Sequence, residues 1–296
     1  MNLLMRANGW AVVGSLHCSE PGAPVWVDLG TTAGTTTAAR FYCSLFGWRV
    51  LARHRPLEDP VGYWVFHDDG NPVGGLAPAG EAGWSMYLRV TDVDVTARAV
   101  TDNGGTVLAG PTTAADSGRV AVCTDPLGAT FVLFQPDHDG YDDQPGQPDG
   151  RVRRDQPRRP QHTDRAAPRP AGDSDKSARY RLACREPEVA IQFYGSVFGW
   201  GATTTRLANG STYTQFFCPG AGQSIAGMVE IDDRWGDDVP AHWITDFAVA
   251  NTDRTAARAA ALGGTVSVAP FDLPNVGRIA VLKDPESALF SVLQAA

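Results

Sequence analysis

Two aspartates are the residues best placed to move a proton. Asp28 lies in Pro24-Val25-Trp26-Val27-Asp28-Leu29 and Asp246 lies in His242-Trp243-Ile244-Thr245-Asp246-Phe247. Both stretches are apolar and β-rich, and a carboxylate held among apolar neighbours titrates high enough to shuttle protons near neutrality. Tyr87 could share that work, giving an expected catalytic set of Asp28, Asp246 and Tyr87. Ser85, Arg181 and Gln215 add polar groups on other predicted strands, while Trp26, Tyr63, Trp64, Tyr213 and Trp243 offer aromatic surface. These eight form the expected ligand-binding set, because flat ligands stack on such side chains. Each has a plainer alternative: an aspartate can bond the backbone of the adjoining turn, and an aromatic can simply fill the core.

Other chemistries find less support. The six histidines are scattered: His17 precedes the first predicted strand, His138 and His162 fall in a polar segment, and His54 sits beside Arg53 and Arg55. His67 ends a predicted hairpin strand, and His242 stands alone next to Trp243. The five cysteines, Cys18, Cys43, Cys123, Cys184 and Cys218, are odd in number and lack CxxC spacing, which argues for reduced, structural thiols. Neither GxxxxGK[ST] nor GxSxG occurs. A net charge of -8 and a pI near 5.2 argue against a nucleic-acid or anionic-membrane surface. No apolar run reaches the ~18 residues that would span a bilayer, and Met1 to Glu20 lacks a signal-peptide core. The expected setting is the cytoplasm.

The elements that must position these residues come from an internal duplication. Phe41-Tyr42-Cys43-Ser44-Leu45-Phe46-Gly47-Trp48 returns as Phe193-Tyr194-Gly195-Ser196-Val197-Phe198-Gly199-Trp200, with six of eight positions identical. Ala38, Ala39, Phe41, Tyr42 and Leu45 carry helical spacing, and Gly47 stops the helix. Residues 24–29 read as a strand, Tyr63 to His67 as another, and Asp68-Asp69-Gly70-Asn71 as a hairpin turn. A second run follows: strand Trp84 to Val90, helix Asp92 to Asn103, then strands at Thr106 to Leu108, Gly118 to Cys123 and Phe131 to Gln135. Gly104-Gly105-Thr106-Val107, Gly118-Arg119 and Asp125-Pro126 recur at Gly263, Gly277 and Asp284, each 159 positions later. The pattern is α+β: four βαβββ units in two tandem pairs.

The expected organisation is an extension over 1–22, a first domain over 23–137, a linker over 138–177 and a second domain over 178–296. The linker holds seven arginines and four prolines between Arg151 and Pro170. Such a composition cannot bury enough surface to offset its ordering entropy.

The repeated helix ends, the Gly-Gly-Thr-Val turns and the Asp-Pro turns resemble the vicinal oxygen chelate superfamily, which includes glyoxalases, bleomycin-resistance proteins and extradiol dioxygenases. In feel the chain is similar to a two-domain actinobacterial, hydroxylase-like type. The resemblance implies that each pair of units curls into a cupped, eight-stranded mixed sheet with its helices outside. It also implies a divalent metal held by His, Gln or Glu on the first and last strands of the units. Here those slots fall near Trp26, Ser85 and Val132, and near Arg179, Ile244 and Ser291, none of them a usual ligand. The expectation is therefore no metal and no cofactor. The partner would be a small aromatic ligand or substrate, with no nucleic acid and no membrane, and the chain a monomer or homodimer. Three functions follow: a metal-independent protein sequestering an aromatic or antibiotic-like natural product, a metal-free acid/base enzyme of secondary metabolism, and a metal-dependent lyase or dioxygenase.

Overall fold

A computed structural model describes residues 20–52, 62–114, 117–137, 178–206, 210–219, 224–232, 235, 239–273 and 276–295. The expected linker and nearly all of the expected N-terminal extension lie outside them, as do His17, Cys18, His54, His138 and His162. The first half runs β1 (Pro24–Thr31), α1 (Thr35–Phe46), β2 (Arg49–Ala52), β3 (Trp64–Asp68), β4 (Asn71–Pro78), β5 (Gly83–Arg89), α2 (Val93–Asp102), β6 (Thr106–Ala114), β7 (Gly118–Thr124) and β8 (Thr130–Pro136). The second half repeats it: β9 (Arg179–Cys184), α3 (Pro187–Phe198), β10 (Gly201–Arg206), β11 (Thr212–Phe217), β12 (Ala226–Glu230), β13 (His242–Ala248), α4 (Thr252–Ala261), β14 (Thr265–Leu273), β15 (Gly277–Lys283) and β16 (Leu289–Ala295).

Each half forms one eight-stranded sheet, ordered β2-β3-β4-β1-β5-β8-β7-β6 and β10-β11-β12-β9-β13-β16-β15-β14. The sheets are mixed: β1 runs parallel to β4 and antiparallel to β5, and β5 runs parallel to β8. The architecture is α+β, four βαβββ units in two tandem pairs, as the repeat predicts. Among the described residues no helix is long and apolar enough to cross a membrane.

The local signals act as expected at the turns. Gly47 and Gly199 close α1 and α3 in the left-handed conformation, with φ of 80° and 70°. Asp69 and Gly70 both carry positive φ, which a tight β3–β4 hairpin requires. Asp92 and Asn251 cap α2 and α4 by accepting from Val95 and Arg254 amides. One expectation is corrected. The strand expected to end at Leu108 continues to Ala114, because β6 is an edge strand where Pro111 leaves no ladder bond unmade. None of the threonines before α1 caps it through its side chain; Gly34 is the cap residue. The amides of Thr32 and Ala33 instead donate to the Glu286 carboxylate, from the other half of the molecule.

The helices lie on the convex sides, and α1 and α3 join the two sheets. Phe41, Tyr42 and Leu45 of α1 pack with Leu29 and Phe66 of the first sheet and with Phe247, Leu282 and Phe290 of the second. Phe193, Tyr194 and Phe198 of α3 pack reciprocally with Met86, Phe131 and Leu133. Two relays, part-buried at the indole and buried at the aspartate, cross the junction. The Trp84 indole donates to Tyr42 Oη at 3.0 Å, and Tyr42 donates to Asp284 at 3.1 Å. Trp243 donates to Tyr194 Oη at 2.8 Å, and Tyr194 to Asp125 at 3.1 Å. The repeated Phe-Tyr motif is thus the lock between halves.

Candidate functional site

Alternation along each strand decides which side chains reach the concave faces. On β1, Trp26 and Asp28 face inward while Val27 and Leu29 join the helix-side core. Tyr63, which precedes β3, and Val65 face inward, so Trp64 between them packs on the helix side with Phe66. On β5, Tyr87 faces inward, and Ser85 stands directly across from Asp28. The expected role of Trp64 as a cup wall is therefore corrected. The same holds for Trp243, which lies on the convex side of β13 and binds Tyr194. Period two places neighbours of an inward residue outward, and composition alone conceals which parity is which.

In the first cup, Trp26, Tyr63 and Tyr87 converge on Asp28. The Trp26 indole donates to Asp28 Oδ1 at 2.8 Å, Tyr63 Oη to the same oxygen at 2.7 Å, and Tyr87 Oη to Oδ2 at 2.8 Å. The Gly75 backbone also bonds the carboxylate. Gly75 lies across from Asp28 in the β1–β4 ladder, and a Cβ there would come within 1.9 Å of Asp28 Oδ1 and 2.0 Å of Tyr63 Oη. Only glycine leaves room for this floor. Asp28, Trp26 and Tyr87 are each 2% exposed and Tyr63 is 4% exposed. Burial pushes the Asp28 carboxyl up to about 6, against the opposing pull of its hydrogen bonds from Tyr63, Tyr87, Trp26 and Gly75. Burial likewise drives Tyr87 well above the usual phenol range, with the neighbouring Asp28 charge adding to it. No cation is among the described partners of Asp28.

The second cup repeats the backbone with other side chains. Arg181 stands across from Gly227 as Asp28 stands across from Gly75, and Tyr213 Oη closes over Gly227 as Tyr63 closes over Gly75. Asp246 pairs with Arg179 as Tyr87 pairs with Trp26. Arg181 Nη2 donates to Asp246 Oδ1 at 2.8 Å and to Ser291 Oγ at 3.3 Å. Arg181 is 4% exposed and Asp246 is 6% exposed, so this is a buried ion pair. Burial raises the Asp246 carboxyl, and the Arg181 charge pulls it back. Gln215 lies on the Tyr213 side of β11 but is exposed. His242 and Ile244 face the same side as Asp246 by alternation.

The structure therefore brings Asp28, Tyr87, Trp26 and Tyr63 together in one cup, with Ser85 across from Asp28. Arg181, Asp246 and Tyr213 share the other, and no single site holds both aspartates. Sequence reasoning passed over Ser291, naming it only as a slot. Its signal was the offset of 159 that places it opposite Val132 in the repeat.

The metal that the superfamily resemblance implies does not fit this donor set. Among the described residues no three His, Cys, Asp or Glu side chains come together. The slots hold Trp26, Ser85 and Val132 in one cup and Arg179, Ile244 and Ser291 in the other, and a buried guanidinium beside the second set repels a cation.

A glyoxalase-like domain matches residues 25–134 and again residues 180–293. The chain is 33% identical over 282 residues to "Putative glyoxylase CFP32" of Mycobacterium bovis, covering 93% of this chain and 95% of that protein. It is 30% identical over 294 residues to "Anthracycline biosynthesis protein DnrV" of Streptomyces peucetius, covering 93% and 94% of the two chains. Among solved structures, the Mn(II)-bound glyoxalase from Novosphingobium aromaticivorans superposes with a TM-score of 0.55 at 14% identity, covering 93% of this chain and 82% of that one. The halotolerant catechol dioxygenase BphC gives 0.55 at 15% identity, covering 94% and 88%. These last two are similarities of fold.

Proposed function

This chain belongs to the glyoxalase-like family in both its halves, and we propose that it is a metal-independent small-molecule-binding protein. Its N-terminal cup would take an aromatic or antibiotic-like natural product. The observation that carries this reading is the convergence of Trp26, Tyr63 and Tyr87 on Asp28. Aromatic faces supply stacking area, and the carboxylate with its hydroxyl donors supplies a few fixed polar contacts, the usual composition of such pockets. The similarity to a protein named for anthracycline biosynthesis supports a natural-product ligand. We place the protein in the cytoplasm, as a monomer or homodimer without nucleic-acid or membrane partners, in keeping with its acidic pI near 5.2.

The floor side chains are almost fully covered, so ligand entry has to part them. The test is a titration of the full chain with a panel of aromatic natural products, followed by tryptophan fluorescence with and without EDTA. Saturable quenching, indifferent to EDTA and weakened by Tyr87→Phe, is expected. Quenching abolished by EDTA, or unaltered in Tyr87→Phe, would oppose the reading.

A second reading, acid/base catalysis of the cyclase, isomerase or hydroxylase-like kind, is favoured by one observation: the Asp28 carboxyl sits at about 6. A group poised there exchanges its proton readily at working pH. In that case turnover would follow an apparent pKa near 6, and Asp28→Asn would abolish it while sparing binding. Because the donor set does not suit a metal, no step is assigned to a metal-dependent lyase or dioxygenase.

A further inference from the structure

The C-terminal cup contains two hydrogen-bonding atoms with nothing to bond among the described residues. Arg181 Nε and His242 Nε2 are both out of solvent and both lack a partner there. Buried polar groups are nearly always satisfied, so each such orphan asks for a reason.

The two orphans are complementary. Arg181 Nε carries a hydrogen and can only donate. Its Nη2 is committed to Asp246 and Ser291, which fixes the guanidinium plane. His242 Nδ1 lies 2.8 Å from the Pro240 carbonyl oxygen. A carbonyl only accepts, so Nδ1 must carry the proton. Burial also lowers the His242 pKa, with the Arg181 charge acting in the same direction, which favours the neutral ring. Nε2 is then a bare acceptor.

They also share a face. In the β9–β13 ladder Arg181 stands opposite Ile244 and His242 opposite Ala183, so the two are diagonal neighbours on the concave side. Diagonal residues in an antiparallel pair lie roughly 7 Å apart at Cβ, within reach of one bridging group. The walls around them are apolar: Ala183, Ile231 and Ile244 form a cluster with Val229, Val239 and Leu289. Arg181 is paired with Asp246, and the second arginine on this face, Arg179, is exposed and acts on the Asp246 side of the site, away from His242.

We propose that the C-terminal cup is a second ligand site, distinct from the Asp28 site, which takes a neutral hydroxyl on an apolar body. The hydroxyl accepts from Arg181 Nε–H and donates to His242 Nε2. One O–H group satisfies both orphans, whereas an ether oxygen satisfies only the first.

The experiment uses the full chain and two probes, para-fluorobenzyl alcohol and its methyl ether, with affinities read by fluorine NMR titration. The alcohol should bind about tenfold or more tightly than the ether, because masking the hydroxyl leaves a buried acceptor unpaired. His242→Phe keeps the ring and removes the acceptor, and should bring the alcohol down to the affinity of the ether. Arg181→Lys keeps the positive charge against Asp246, removes Nε–H, and should weaken the alcohol and the ether alike. Val95→Ala, at an exposed position on α2 outside both cups, should leave probe binding unchanged. Equal affinities for the two probes, no binding of the alcohol, or undiminished binding in both His242→Phe and Arg181→Lys would overturn the proposal.

Discussion

The two cups are built on one backbone and solve the same electrostatic problem in opposite ways. Across from a glycine with no room for a Cβ, the first cup places a carboxylate, Asp28 over Gly75, and the second a guanidinium, Arg181 over Gly227. One strand over, the first cup has a phenol, Tyr87, and the second a carboxylate, Asp246. Asp28 is held by indole, phenol and amide donors, all neutral, and its carboxyl rises to about 6. Asp246 faces a cation 2.8 Å away. Duplication therefore preserves shape while the charge plan diverges. Neutral donors soften the cost of burying a carboxylate but leave it able to take a proton, whereas a buried cation ties the carboxylate into a fixed pair.

The largest effect should come from breaking the pair. Arg181→Leu leaves Asp246 buried and unmatched, and chemical denaturation should show a loss of about 3–5 kcal/mol. The double variant Arg181→Leu/Asp246→Leu should recover most of that loss; if it does not, the pair contributes more than mutual neutralisation.

Next is the pH dependence of the Asp28 site. Its folded carboxyl titrates at about 6 against an ordinary value of 3.8, so the folded state holds the proton more tightly than the unfolded state. Between those values the folded form binds more protons, and stability from this group falls as pH rises. At about 1.4 kcal/mol per pH unit, the loss on going from pH 4 to pH 7 amounts to about 3 kcal/mol. Between pH 4 and pH 7 the stability changes of the parent and of Asp28→Asn, from denaturation curves, should differ by this amount, and parallel pH profiles would refute it. The Asp246 carboxyl is raised in the same direction by burial, but there the Arg181 charge opposes the shift.

The glycines sharpen the comparison further. Gly75→Ala drives a Cβ into Asp28 and Tyr63, and Gly227→Ala drives one into Tyr213 Oη at 2.2 Å. Each should cost about 1–3 kcal/mol. Only Gly75→Ala should also shift the pH dependence, since only that floor holds a titratable carboxylate at the clash. The smallest effect concerns the junction. Glu286 occupies the position of Leu127 in the repeat and clamps Thr31, Thr32 and Ala33. Although partial burial works against ionisation, these hydrogen bonds leave its carboxyl below the usual range, so the clamp contributes above that range and is lost as pH falls. Glu286→Gln should cost about 1 kcal/mol or less at neutral pH in thermal unfolding, because the site is largely solvated.

Much of the fold was legible in the residues. The Phe-Tyr…Phe-Gly-Trp repeat marked both helix ends, Asp69-Gly70 marked a hairpin, and the constant offset of 159 paired the second units. Of the candidate site, Asp28, Tyr87, Arg181 and Asp246 were visible as polar groups on apolar strands. The orphan pair Arg181 and His242 was not, because a missing hydrogen bond has no sequence signature. Trp64 and Trp243 misled for a related reason: an aromatic next to an inward residue faces outward, and parity is settled only when the strand is seated.

The sequence by itself determined the duplication, the α+β order of elements and the glycine-ended helices, because these depend on local backbone preferences and on periodicity. Only the tertiary structure decided that α1 and α3 would seal the two sheets together and that the two aspartates would belong to separate floors. It also decided that one carboxylate would meet neutral donors and the other a guanidinium. Those outcomes depend on which strands neighbour one another and in what register, and long-range register joins residues that no local pattern relates.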